Sequence, residues 1–348
     1  MKKLLNTLFI TSPDRYLSLD GENVVIICKD DDGKNDEIGR VPLHNLEAII
    51  TFGYTGASPG LMRACAKNNI ALSFMSSNGK FIARIVGEVR GNVTLRREQY
   101  RIADDSSRSL QIARNFILAK VYNSKWIIER AIRDYPLRVD TEKLKGKSIF
   151  LGNSLANIRN AADDGMLRGI EGEAASVYFS VFDDLILQQK EDFKFKSRSK
   201  RPPLDKVNAL LSFSYSLLAG MCASALETVG LDPYVGFLHK DRPGRISLAL
   251  DLMEEFRAVM ADRFVITLIN KRILNKKGFI QKENGAIIMD DETRKAVLSA
   301  WQAKKQEKIV HPFLDEKIEW GMVPYTQAML LARYIRGDID EYPPFFWK

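Results

Sequence analysis

Hydrophobic and polar positions follow two different rhythms along the chain, and the change falls near residue 92. Before it, short apolar runs alternate with turn residues, the pattern of strands. YLSLDGENVVIIC places Asp20-Gly21 between two such runs, and ALSFMSSNGKFIARIVG repeats the device with Asn78-Gly79; both pairs signal tight hairpins. Between them SPGLMRACAKNN predicts one short helix, with Ser58 as its N-cap and Pro59 at its first position. MKKLLNTLFITSPDR has a basic start, but its apolar stretch is short, broken by Asn6 and Thr7, and without a small-residue cleavage pattern. A first strand, not a signal peptide, is expected there.

From about Thr94 onward apolar residues recur at three- and four-residue spacing. Ile112, Phe116, Leu118, Ala119, Val121 and Trp126 belong to one such helix. The expected fold class is therefore α+β. A β-sandwich-like N-terminal domain over 1–92 precedes a larger all-α domain over 93–348. There is no internal repeat, no heptad run, and no uninterrupted apolar run of membrane-spanning length.

Within the helical part, some acids break the rule that charge faces water. In LRGIEGEAASVYF, Ile170, Ala174, Val177, Val181 and Leu185 form an apolar stripe at about 100° per residue. Glu171 lies beside it, with Ala175, Tyr178 and Phe182 on its own face, whereas Glu173 falls with Asp184 on the polar side. A carboxylate so placed needs a cation, a metal or a hydrogen-bond network, and a structural salt bridge satisfies that need as well as a metal does.

In GFLHKDRPGRISLALDLMEEFR, a helix is expected from about Arg245 through Phe264. Asp251 and Glu254 then share one face, about 60° apart, with Ala258 and Ala261 beside them and Leu252, Phe256, Val259 and Met260 opposite. Two acids three apart also describe an ordinary solvated face, and the adjacent Glu255, with no partner at this spacing, is assigned to one. Only a turn separates His239 from the acids, so it stays near them. His44 and His311 lack acidic neighbours and are expected to be structural.

One histidine with two or three carboxylates and no thiolate suits Mg2+ or Mn2+ better than structural zinc. The charge adds a partner: 52 Lys and Arg against 44 Asp and Glu leave a net +8, which favours a polyanion. Three scattered cysteines offer no disulfide framework, consistent with a cytoplasmic protein and no membrane. QQKEDFKFKSRSKRPP, residues 188–203, concentrates Lys190, Lys194, Lys196, Arg198, Lys200 and Arg201 around Phe193 and Phe195. It is either a phosphate-neutralising loop or a solvated connector. The residues alone thus point to a metal-dependent nuclease.

The same segments carry a resemblance. The chain resembles the CRISPR-associated adaptation endonuclease family, whose members integrate spacers into the CRISPR array. LRGIEGEAASVYF is similar to that family's first catalytic segment, DPYVGFLH to its histidine segment and SLALDLMEEFR to its acidic segment. HNLEAIITFGYTGASPGLMRACAKNNIALSFMSSNGKFIAR resembles its N-terminal β domain, DKVNALLSFSYSLL the helix before the histidine segment, and YPPFFWK a typical tail. The resemblance implies catalytic Glu171, His239, Asp251 and Glu254, with Glu171, His239 and Glu254 as ligands of Mg2+ or Mn2+ and Asp251 supporting them. It implies a homodimer formed through the N-terminal domain and a small companion adaptation protein. The DNA partners would be a prespacer duplex, whose 3′-hydroxyl attacks a phosphodiester, and the CRISPR leader-repeat that receives it. Two other readings remain: a nuclease of branched or single-stranded DNA that does not integrate, and a non-catalytic DNA-binding scaffold.

Overall fold

A computed structural model describes residues 6–12, 14–29, 34–53, 55–76, 81–87 and 92–348 of the chain. It divides into two compact units, residues 1–90 with 288–307, and residues 91–287 with 308–348.

The first unit is built on two four-stranded sheets. Strands β1 (Thr7–Ile10), β5 (Ala48–Phe52), β7 (Ala71–Met75) and β8 (Phe81–Ile85) form one, in the order β1-β5-β7-β8. Strands β4 (Asn35–Pro42), β3 (Asn23–Lys29), β2 (Arg15–Asp20) and β6 (Gly56–Ala57) form the other, in the order β4-β3-β2-β6. β5 and β7 are parallel, and a parallel pair needs a crossover. That crossover carries helix α1 (Pro59–Lys67), capped as expected by Ser58, whose hydroxyl accepts from Leu61 N. Leu17 and Val24 of one sheet, Ile10, Ile49 and Leu72 of the other, and Leu61 and Cys65 of α1 meet in one apolar core.

Two turn expectations fare differently. β2 and β3 pair with Asp20 opposite Asn23, so the loop is Gly21-Glu22, one residue later than Asp20-Gly21. Gly21 takes the positive φ, 56°, that the first position of such a loop demands. β7 and β8 pair antiparallel, but Asn78-Gly79 lies outside the described residues.

The second unit holds α2 (Val93–Asp104), α3 (Ser106–Asp134), α4 (Thr141–Arg159), α5 (Asp164–Ser180), α6 (Lys206–Val229), α7 (Ser247–Glu254) and α8 (Arg263–Asn270). α9 (Asp291–Gln306) groups with the first unit, although residues 93–348 were expected to form one domain. Its Lys305, 3% exposed, reaches Glu47 Oε2 at 3.1 Å and Thr7 Oγ1 at 2.9 Å, and its Arg294 lies over the Phe52 ring, 5.5 Å from the centroid. α10 (Val323–Arg336) returns to the second unit and packs on α6. That unit is not purely helical, since Lys308–Val310 and Lys317–Glu319 pair as an antiparallel ribbon. α6 is long and apolar enough to cross a membrane by length and composition alone; here most of its apolar side chains are buried within the unit.

Candidate functional site

The expected continuous helix over 245–264 is broken. α7 ends at Glu254, and Arg257–Asp262 forms a π-helical turn before α8 begins. Such a turn inserts an extra residue into the helical ladder and re-aims the side chains around it. Here Arg257 turns back to Glu254, with Nη2 3.0 Å from Oε1, and Asp262 accepts from Tyr215 Oη at 2.5 Å. Ala258 and Ala261, expected on the same face as the acids, are buried in the core.

Asp251 and Glu254 are not a solvated face. Asp251 is fully buried and Glu254 is 3% exposed. Asp251 spends its lone pairs on the histidine segment: Oδ2 accepts from Phe237 N at 2.7 Å and Leu238 N at 2.9 Å, and Oδ1 accepts from His239 N at 3.0 Å. Oδ1 also lies 2.5 Å from His239 Nδ1. A ring whose Nδ1 faces Asp251 turns Nε2 away from that carboxylate, the arrangement in which the neutral imidazole offers Nε2 as a ligand. Asp251 therefore positions the histidine and has little capacity left for a ligand.

Two further hydrogen bonds fix the segment. Ser109 Oγ donates to Phe237 O at 2.9 Å, and Arg168 donates to Leu238 O. At Gly236 a Cβ would stand 2.8 Å from Asp251 Oδ2 and 2.9 Å from His239 O, so only glycine lets the chain wrap the carboxylate this closely.

On α5 the buried positions are Leu167, Ala174 and Tyr178, so Glu171 lies within the core-facing row itself, closer to the apolar face than the sequence pattern placed it. Glu173 is exposed, as expected. The salt bridge that the sequence left open for Glu171 exists. The Lys120 ammonium from α3 touches Glu171 Oε1 and also lies 2.9 Å from Glu254 Oε2. One cation thus joins two of the three candidate ligands.

Glu254 shows the strongest electrostatics. Burial pushes its pKa up, but Arg257, Lys120 and His239 together outweigh burial and hold it down at about 2. It is a permanent anion in a dry setting. Its Oε2 meets the Lys120 ammonium at 2.9 Å and its Oε1 meets Arg257 Nη2 at 3.0 Å.

The Glu254 and Glu171 carboxylates and Nε2 of His239 are oxygen and imidazole donors of the type that Mg2+ or Mn2+ takes. The donor set fits a divalent ion in chemistry. As the side chains stand, among the described residues no group of three or more His, Cys, Asp and Glu is gathered to hold one. Lys120 stands between the two glutamates instead.

Beside Glu171 opens a cavity of about 520 Å³. Lys120, Lys196, Arg198, Lys200 and Arg257 line it, with Tyr178 and Tyr215. The basic segment 188–203 thus divides by residue. Phe193 and Phe195 are buried, Phe195 against Phe179 and Phe182, so they are core and not stacking platforms. Lys194 pairs with Glu191 at 2.7 Å and Lys190 with Asp183 at 3.7 Å. Lys196, Arg198 and Lys200 face the cavity, and Arg198 is braced by Asn208 Oδ1 at 2.6 Å and Ser212 Oγ at 3.1 Å.

Glu255, assigned from sequence to the solvated face, is fully buried. Its carboxyl accepts from Phe345 N at 2.7 Å, Gln327 Nε2 at 3.0 Å and Tyr342 Oη, tying α7 to the tail YPPFFWK. Burial pushes its pKa up to about 8. Asn123 completes the clasp, donating to Glu255 O and Phe345 O at 2.8 Å each. His311 hydrogen-bonds Gln327 in the core, the structural role expected of it.

Comparison with known proteins decides the family. Residues 8–303 match the family model described as CRISPR associated protein Cas1. The chain belongs to the Cas1 family. A Cas1 relative from Chlorobaculum tepidum, CRISPR-associated endonuclease Cas1 1, is 49% identical over 348 residues and covers 100% of both chains. In fold, the chain is similar to a casposase bound to integration product, with TM-score 0.84 and 24% identity over 99% of this chain and 94% of that one. It is also similar to a chain of a Cas6-RT-Cas1–Cas2 complex, with TM-score 0.79, 20% identity, and coverage of 99% of this chain and 36% of that one. The Cas1 membership agrees with the resemblance carried by the three sequence segments.

Proposed function

We propose that this Cas1 family member is a metal-dependent DNA endonuclease that acts as a CRISPR adaptation integrase. The observation that carries this reading is the convergence of Glu171, from α5, and Glu254, from α7, on one ammonium beside a cationic cavity. Glu171, His239 and Glu254 would hold Mg2+ or Mn2+. When bound, such an ion polarises a phosphodiester and activates the attacking hydroxyl.

The chain's own residues supply the rest. Asp251 keeps the His239 ring turned, with Nδ1 toward its own carboxylate and Nε2 directed away from it. Arg257 keeps Glu254 ionised. Lys196 and Lys200, with Arg257, offer charge to the phosphates of a DNA strand entering the cavity and to the charge that develops at the reacting phosphate. Burial of the acids excludes bulk water from their inner side, which strengthens each of these interactions.

In this reading the substrates are a prespacer duplex, supplying the 3′-hydroxyl, and the leader-repeat that receives it. The protein works as a homodimer with the small companion adaptation protein, in the cytoplasm. Support for the DNA chemistry comes from the endonuclease name of the 49% identical relative. The fold shared with a casposase bound to integration product adds to it. Water in place of the 3′-hydroxyl would give hydrolysis from the same site, so products decide. A 3′-hydroxyl duplex incubated with a supercoiled repeat plasmid, Mn2+ and the companion protein is expected to yield joined strands that EDTA abolishes. Shortened strands without joining would replace the integrase by a nuclease, and indifference to EDTA would remove the metal.

A further inference from the structure

Lys120 raises a question that the proposed metal site does not answer. Its side chain is 13% exposed, and its ammonium contacts Glu171 and Glu254 together. In the described structure it therefore supplies the charge that two neighbouring carboxylates need in order to share a dry site. A divalent ion held by the same carboxylates would meet that ammonium at contact distance, and like charges so close in a poorly solvated site repel strongly. Lysine and ion cannot both keep these partners.

The two cations at this site are not equivalent. Arg257 is pinned, with Nη2 3.0 Å from Glu254 Oε1 and its guanidinium 5.1 Å from the Tyr215 ring centre. Lys120 is a point charge on a flexible four-carbon stem, and it also lines the cavity that Lys196 and Lys200 make cationic. It has a place to go, and that place suits an anion.

We propose that Lys120 is a displaceable internal counter-ion, which holds Glu171 and Glu254 until a divalent cation binds and then turns into the adjoining cavity to pair with a nucleic-acid phosphate. The inference rests on the metal reading above. It makes metal loading and DNA binding mutually dependent: a phosphate gives the displaced ammonium a new partner, so DNA tightens metal binding and metal tightens DNA binding by the same factor.

The test is calorimetric titration of Mn2+ into the full-length protein, as wild type, Lys120→Met and Lys120→Arg. Each is measured with and without a short duplex blocked by 3′-dideoxy ends, with the heat of Mn2+ binding to free duplex subtracted. Lys120→Met, which keeps the length and loses the charge, is expected to bind Mn2+ at least tenfold more tightly than wild type without DNA. Wild type and Lys120→Arg should gain severalfold in affinity on adding DNA, and Lys120→Met should gain nothing. Unchanged or weaker Mn2+ binding by Lys120→Met overturns the inference, as does an equal DNA effect in Lys120→Met and wild type. If Lys120→Met does not fold, wild type decides alone, and Mn2+ affinity indifferent to DNA rejects the coupling. Absence of Mn2+ binding by every folded variant, with or without DNA, is a different failure: it removes the metal site itself and the inference with it.

Discussion

Asp251 grips His239 twice, at the ring through Nδ1 at 2.5 Å and at the backbone through N at 3.0 Å. The same carboxylate accepts two more backbone N–H groups from Phe237 and Leu238, so one buried side chain orders the whole segment that presents the imidazole. Asp251→Asn replaces an all-acceptor group with one that must turn an NH2 toward one of those donors. Strand-transfer rate should fall about 10- to 100-fold, the usual effect of losing the partner that orients a histidine ligand. Thermal melting should fall as well, and a variant with wild-type rate would show that His239 needs no such clamp.

Glu255 gives a prediction about stability and not chemistry. Its carboxyl serves donors from Phe345, Gln327 and Tyr342, and burial pushes its pKa up to about 8, so near neutrality it carries a proton. Glu255→Gln reproduces the neutral form and should cost about 1 kcal/mol or less. Glu255→Ala orphans several buried groups at about 1–3 kcal/mol each and should loosen the tail from Tyr342 onward. Denaturant unfolding of the two variants measures the difference, and equal losses would show that packing, not hydrogen bonding, holds the tail.

Asp262 predicts a pH dependence. Burial raises its pKa from 3.8 to about 6, against the lowering pull of the Tyr215 hydroxyl and of Arg257. Below pH 4 both folded and unfolded chains hold the proton, and this group's contribution is fully present. Between about 4 and 6 only the folded chain holds it, so stability drains away as pH rises, by about 1.4 kcal/mol per unit at most. Above about 6 the loss is complete and the slope ends. Asp262→Asn cannot titrate, so the stability of wild type relative to this variant should decline from pH 4 to pH 6 and then level. A flat difference across that window would contradict the assignment.

The cavity wall predicts a salt effect. Lys196 and Lys200 face the cavity, whereas Lys194 is engaged by Glu191. Replacing Lys196 and Lys200 together by Ala should weaken duplex binding and reduce the slope of log K against log salt by about two. Lys194→Ala should change neither. Equal effects from all three would mean that the loop acts as a diffuse charge and the cavity has no special part.

Much of this was legible from the chain because the signals were local. Ser58 and Pro59 announced α1 within two residues, and the spacing around Glu171 marked an acid on an apolar face. What stayed hidden depends on partners remote in sequence. Lys120 meets Glu171 from 51 residues away, and the only local hint was a charge inside the apolar run NFILAKVY. Glu255 lies 87 residues before the Tyr342 that satisfies it, so helical spacing could only assign it to solvent. The π-turn over Arg257–Asp262 left no mark in the apolar pattern, because its residues are buried nearly all round. α9 meets the first unit through Lys305, which reaches Glu47, and Arg294, which lies over the Phe52 ring, and periodicity alone could not assign either to partners so far back in the chain.

The central claim is that Glu171 and Glu254 serve a metal-dependent reaction on DNA, with their ion pairs to Lys120 as the resting arrangement. Its most direct measurement is strand transfer of a 3′-hydroxyl duplex into a supercoiled repeat plasmid by wild type and Glu171→Ala, with DNA affinity and melting temperature recorded on the same preparations. The account predicts Mn2+-dependent joined product from wild type and at least a 1,000-fold loss in the variant (an order-of-magnitude expectation for removing a metal-ligating group), with affinity and folding nearly unchanged. Joined product from a folded Glu171→Ala at the wild-type rate would contradict it.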